Sequence, residues 1–217
     1  MSAETTLMPL LAPEQFLGFL GAALLITLSP GPDNLMVLAI GAARGRNKGM
    51  AFGLGCALGC LSHTLLAALG VSAVIAASPA AFIALKVAGG LYLVRMGWQA
   101  LRSRGAARVN GAGQSAESAW RLFGRGLLAN AINPKVVMFF LAFLPQFVVT
   151  VRGDAPWQIA QLGVIFTLQA AILFGALGYF AGSVGHWLNR HEHAGLWLDR
   201  LAGTIFIGLG LKLIVSR

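Results

Sequence analysis

An all-α, polytopic membrane fold is what this sequence predicts, and three observations predict it. Of 217 residues, 57% are hydrophobic and only 11% charged, with mean hydropathy +0.76; a soluble domain carries about 25% charged residues. No Asp, Glu, Lys or Arg lies between Lys48 and Lys86, or from Ala155 to Asn189. Each of these runs is long enough for at least one span of roughly 20 residues. The basic residues, which give the net charge of +9, punctuate apolar runs instead of forming a patch. That placement sets membrane orientation and argues against a nucleic-acid partner.

Six transmembrane helices fit the pattern. The first runs from about Pro13 to Ala43 and is broken at Ser29-Pro30-Gly31-Pro32-Asp33-Asn34. Pro30 and Pro32 each remove a backbone donor, and Gly31 loosens the chain between them. Asp33 then sets a carboxylate at membrane depth. Broken backbone and buried charge survive there only against protein or a water-filled cavity. The start of the chain carries Glu4 and Glu14 and no basic side chain before this run. A cleavable signal peptide begins positively, so the first run is expected to stay in the mature protein.

The second span is expected from about Gly49 to Ala77, the third from Ala81 to Leu101 and the fourth from Arg121 to Val149. The fifth is expected from Trp157 to Trp187 and the sixth from Leu196 to Val215. Asn110 to Ser118 is a polar, glycine-rich loop. Basic residues gather after spans one, three and five (Arg44, Arg46, Lys48; Arg102, Arg104, Arg108; Arg190). By the positive-inside rule those turns are cytoplasmic and both termini are not. Gly49, Gly53, Gly55 and Gly59, and Gly178 with Gly182, have spacings suited to close helix packing. Trp98, Trp157 and Trp187 near span ends suit interface anchors.

The chain reads as one transmembrane transporter domain built from two repeats, about 13–105 and 121–217, joined by a loop at 106–120. Lys86-Val-Ala-Gly-Gly-Leu-Tyr-Leu in span three matches Arg200-Leu-Ala-Gly-Thr-Ile-Phe-Ile in span six. Asn133-Pro134-Lys135 breaks span four as Pro-Gly-Pro breaks span one. Three spans per repeat force opposite orientations, which is the inverted-repeat plan of secondary transporters.

The candidate site gathers at the two breaks. Asp33 and Asn34 either cap the second half-helix or bind a substrate ammonium or a proton. Lys135, mid-span, has poor reach to an interface and suits a substrate carboxylate or the neutralisation of Asp33. Asn130 and Asn133 suit orienting a substrate or satisfying freed carbonyls. The lone polar residues His63, Gln146 and Gln169 are pathway candidates, though such groups mostly bond to a neighbouring helix. Cys56 and Cys60 read first as small buried packing residues and secondarily as a redox or metal pair. His191 and His193 suit a solvated turn, and no metal set is expected. With no nucleophile, zinc or nucleotide motif, neither an enzyme nor a cofactor is expected, and energy is to come from an ion gradient.

Taken in order, Ser-Pro-Gly-Pro-Asp-Asn, Arg44-Gly45-Arg46 with Gly49 and Gly53, the Lys86 motif, Asn133-Pro134-Lys135 with Phe139-Phe140, and Leu144-Pro145-Gln146-Phe147 resemble the LysE/RhtB superfamily of amino-acid exporters over nearly the whole chain. The resemblance implies a multi-pass inner-membrane exporter of amino acids such as homoserine, threonine, leucine or lysine, driven by protons. Its partners would be the amino acid, protons and lipid, with a homo-oligomer left open. The alternatives are a cation, metal or other small-solute exporter of the same architecture, and a membrane redox protein using Cys56 and Cys60.

Overall fold

A computed structural model describes residues 11–71, 73, 78–103, 117–191 and 193–215. Among them every regular element is helical. α1 (Pro13–Leu28) and α2 (Pro32–Arg44) make the first bent span. α3 (Arg46–Leu66) continues through a wide turn at Ala67–Val71. α4 spans Pro79–Arg102 and α5 spans Ala119–Ala131. After a break comes α6 (Pro134–Met138), prolonged by wide and tight turns to Phe147. α7 (Ala155–Tyr179), α8 (Ala181–Arg190) and α9 (Ala194–Val215) complete the chain.

Length and composition allow α3, α4 and α7 to cross a membrane singly. The pair α1–α2, bent by 56°, and the pair α5–α6, bent by 48°, each suit one broken span. Both expected breaks are therefore present. The expected sixth span, α9, is one 22-residue helix but is not among those five; Asp199 and Arg200 lie near its start. Span five departs from expectation. The helix ends at Tyr179, and Phe180 turns the chain (φ −90°, ψ 8°) into the separate α8. Residues 181–187 thus form a short amphipathic helix beside the span end. The apolar run continues, but Gly182, Ser183, Gly185 and His186 interrupt it. The loop expected at 106–120 lies mostly outside the described residues; within them, Ser118 Oγ caps α5 by accepting from Arg121 N at 3.3 Å.

Glycines set the packing. A Cβ at Gly90 would meet Gly210 O, and one at Gly210 would meet Gly90 O; Gly97 and Gly203 stand in the same reciprocal relation. The pairs run in opposite order, so α4 and α9 are antiparallel. Gly49 packs on Gly178 and Gly53 on Phe174, while Gly163 packs on Thr64, so α3 and α7 are also antiparallel. Gly55 meets Phe123, Gly59 meets Leu127 and Asn130, and Gly126 meets Phe52. α3 and α5 therefore run parallel with backbones in contact. Small residues at such seams let helices approach where lipid provides no hydrophobic drive. Gly182 is the exception to the expected spacing, since nothing lies within 4 Å of its Cβ position; it belongs to α8, outside the seam.

Candidate functional site

The two breaks meet in the interior. α1 ends at Leu28 with no side-chain cap for α2, whose N-cap is Gly31. The freed carbonyls of α1 find other donors. Ser29 N and Oγ both reach Leu25 O, at 3.0 and 2.6 Å. Asn34 Nδ2 donates to Thr27 O at 2.8 Å, and Lys135 Nζ donates to Ser29 O at 2.8 Å. Asn34 therefore folds back on α1 instead of capping α2. Asp33, 4% exposed, does not cap either: its Oδ2 accepts from Asn130 Nδ2 at 2.8 Å.

Gly31 has a purpose other than the backbone freedom expected of it. Its φ of −172° is extended backbone open to any residue. A Cβ there would instead lie 3.2 Å from Lys135 Nζ and 3.5 Å from Lys135 Cδ. Glycine makes room for the ammonium.

The second break is held by its own amide. Asn133 Oδ1 accepts from Lys135 N at 3.1 Å and caps α6. Pro134 occupies the first turn, where a missing N–H costs nothing. Lys135 is 5% exposed. Besides Ser29 O, its ammonium lies 5.4 Å from the ring centre of Phe206 on α9. That is cation–π range. No ion pair joins Lys135 to Asp33; the described ion pairs are Glu117 with Arg44 and with Arg125. The two charges thus make no direct ion pair, and each meets a hydrogen-bond partner of its own. Amide and carbonyl partners hold the two charges apart. This suits the interior, where a buried ion needs hydrogen bonds as much as a counter-charge.

Asp33, Asn34, Asn130, Asn133 and Lys135 all line one central cavity, with Thr27, Gly31 and Cys60, against walls that include Phe139, Phe166 and Phe174. Its volume is about 20 Å³, room for about one water. A second, larger cleft of about 290 Å³ lies beside it, lined by Leu28, Leu173, Leu177, Phe180 and Val184. Thr27, Asn34 and Phe174 line both spaces.

The remaining candidates fall at the margins. His63 is buried, with Nε2 3.1 Å from Asn130 O, so it supports the second break from behind. Gln169 Nε2 donates to Thr27 Oγ1 at 2.8 Å. Gln146 sits in the turn after α6, with Nε2 3.3 Å from Phe143 O, and does not line the cavity. Cys60 is more than packing: its Sγ reaches Asn130 Oδ1 at 3.4 Å, and both cysteines are free thiols. His191 and His193 lie on an exposed turn.

Thr27, Gln15 and Gln158 drew no notice in the sequence, and Ser29 and Phe206 appeared there only as members of their motifs. Gln15 Nε2 bonds Phe147 O and Gln158 Oε1. Gln158 Nε2 bonds Val149 O at 3.1 Å and Gly153 O at 2.6 Å. These two buried carboxamides tie the starts of α1 and α7 to the 147–153 turn. The one signal either gave is a neutral polar side chain near the start of an apolar run.

Residues 24–217 match the model of the LysE type translocator family. The chain belongs to that family. A threonine efflux protein of Escherichia coli (strain K12) is 32% identical over 196 residues, 88% of this chain and 92% of its own. An uncharacterized membrane protein of Pseudomonas aeruginosa is 30% identical, with 96% and 99% covered. A leucine efflux protein of an Enterobacter species is 26% identical, with 91% and 94% covered. No solved structure matches this chain. The translocator family and the long apolar helices together make this a membrane protein of the translocator type.

Proposed function

We propose that this LysE-type translocator exports small amino acids or close derivatives across the bacterial inner membrane by alternating access, with protons moving the other way. One observation carries the reading: a buried acid and a buried base, each from a different helix break, line the same cavity with no direct ion pair between them. A zwitterion needs one partner of each sign. Asp33 suits its ammonium and Lys135 its carboxylate, with the starts of α2 and α6 adding partial positive charge near the carboxylate. Asn130 holds Asp33 in place, and Asn133 shapes the turn that presents Lys135. The named cargo of the threonine and leucine efflux relatives supports the same solute class.

The membrane layout follows the same reading. α1–α2, α3, α4, α5–α6, α7 and α9 are six spans in two inverted repeats. Antiparallel α4 and α9, three crossings apart, and antiparallel α3 and α7 support that plan. The basic turns after spans one, three and five face the cytoplasm, and both termini face away from it. A cavity of about 20 Å³ is too small for an amino acid, so Lys135 must leave Ser29 O as the bent halves part to admit one.

The test uses the purified full chain in proteoliposomes loaded with a panel of labelled amino acids and cations, with and without an imposed pH gradient. At least one small amino acid should leave, and faster with the gradient. No amino-acid flux removes the reading; flux of a cation alone replaces it with the cation exporter. Among the described residues no group of three or more His, Cys, Asp and Glu gathers to favour that alternative.

A further inference from the structure

Gln169 carries the one fully buried side-chain polar atom among the described residues that finds no partner, its Oε1. The residue is 7% exposed, and its Nε2 donates to Thr27 Oγ1 at 2.8 Å. A threonine hydroxyl has a proton of its own to give, and Thr27 gives it to no side chain or backbone group among the described residues. The pair therefore holds one unspent acceptor and one unspent donor, side by side.

Its position gives those valences a use. Thr27 lines both the charged cavity and the adjoining cleft. On α7, Gln169 lies three residues after Phe166, which lines the cavity, and four before Leu173, which lines the cleft. Residues at those spacings share a helix face. Thr27 thus stands at the boundary of the two spaces, with Gln169 bonded to it from α7. A simple tie between α1 and α7 accounts poorly for it. Leaving a buried acceptor unmade costs at least what one neutral hydrogen bond returns, and an apolar pair of the same shape would tie the helices without that cost. Buried orphan groups of this kind call for a functional explanation.

We propose that Thr27 and Gln169 form the side-chain subsite of the transporter and select an amino acid bearing a side-chain hydroxyl over its apolar isostere. A hydroxyl donates to Gln169 Oε1 and accepts from Thr27 Oγ1; a methyl does neither and leaves both groups unpaired. The inference rests on the amino-acid reading above, with Asp33 and Lys135 holding the backbone charges while this pair reads the side chain. Sites that hydrogen-bond a substrate hydroxyl discriminate against the analogue lacking it because their own polar groups are stranded.

Threonine and valine have nearly the same shape and differ in this group, so labelled threonine and valine are the probes. In proteoliposomes of the wild-type chain the threonine-to-valine flux ratio should be about ten. Gln169→Met and Thr27→Val should each lower that ratio toward one, and Thr27→Ser, which keeps the hydroxyl, should retain it. Threonine should also raise the melting temperature of the wild-type protein in detergent more than valine does, a readout that needs no variant to fold. A wild-type ratio near one, or variants that lower both fluxes in parallel, overturns the subsite while leaving an amino-acid exporter standing. Absence of flux for every amino acid removes the exporter reading and the subsite together.

Discussion

At the first helix break the protein offers acceptors, and at the second it offers donors. Ser29 O and the Asp33 carboxylate receive Lys135 Nζ and Asn130 Nδ2, both from the second break. Each break meanwhile uses an asparagine for its own backbone: Asn34 returns to Thr27 O, and Asn133 caps the N–H of Lys135. Two interruptions with similar residue types are thus built with opposite polarity. A break that satisfies its own backbone with a neutral amide leaves its charged neighbour free to act across the interface. In the function proposed above, this division of labour leaves one charge of each sign for a dipolar solute.

The strongest way to break the comparison is to exchange or delete its charges. Asp33→Ala and Lys135→Ala should insert normally yet lower amino-acid efflux about a hundredfold or more, the scale on which truncating a buried, hydrogen-bonded charge weakens recognition. Efflux from either variant at the wild-type rate would end the assignment. The double exchange Asp33→Lys with Lys135→Asp should not restore efflux, because the new carboxylate would face Ser29 O and set acceptor against acceptor. Recovery in that double variant would show that only the presence of two opposite charges matters.

Gly31→Ala tests the room made for the ammonium. The backbone there accepts alanine, but the new Cβ would lie 3.2 Å from Lys135 Nζ. Efflux should fall about tenfold because the ammonium that meets the substrate is displaced, and stability should fall by less than the roughly 1.5–3 kcal/mol of a hydrogen bond to a charged group. At Gly59 the expected balance is reversed. A Cβ would lie 2.9 Å from Leu127 O and from Asn130 Cβ, so Gly59→Ala should cost about 1–3 kcal/mol by overpacking, read as a lower melting temperature in detergent. The smallest effect belongs to the amides. Asn133→Ala should remove about 1 kcal/mol with the lost cap, and its melting temperature should fall less than that of Gly59→Ala. A larger fall would show that Asn133 does more than cap.

Much of this was legible in the chain because it rests on local chemistry. Pro30, Pro32 and Pro134 cannot continue a helix wherever they stand, so both breaks could be placed. Long uncharged runs announce spans, and Asp33 and Lys135 stood out because a charge in such a run is expensive. Gly182 and the end of α7 were misread because spacing alone does not reveal which neighbour a residue meets. Gln15, Gln158 and Thr27 escaped notice because a neutral polar residue acquires meaning only from its partner.

The membrane class, the two interruptions and the charged residues at them followed from composition and backbone limits along the chain, and the translocator family from its ordered motifs. Only the tertiary structure decided that Lys135 reaches Ser29 O and not Asp33, that Gly31 serves an ammonium from a residue 104 positions away, and that Gln169 keeps one atom unpaired beside Thr27. These are distances between helices. They depend on how closely glycine seams let backbones approach, and no pattern along one strand of sequence encodes that approach directly.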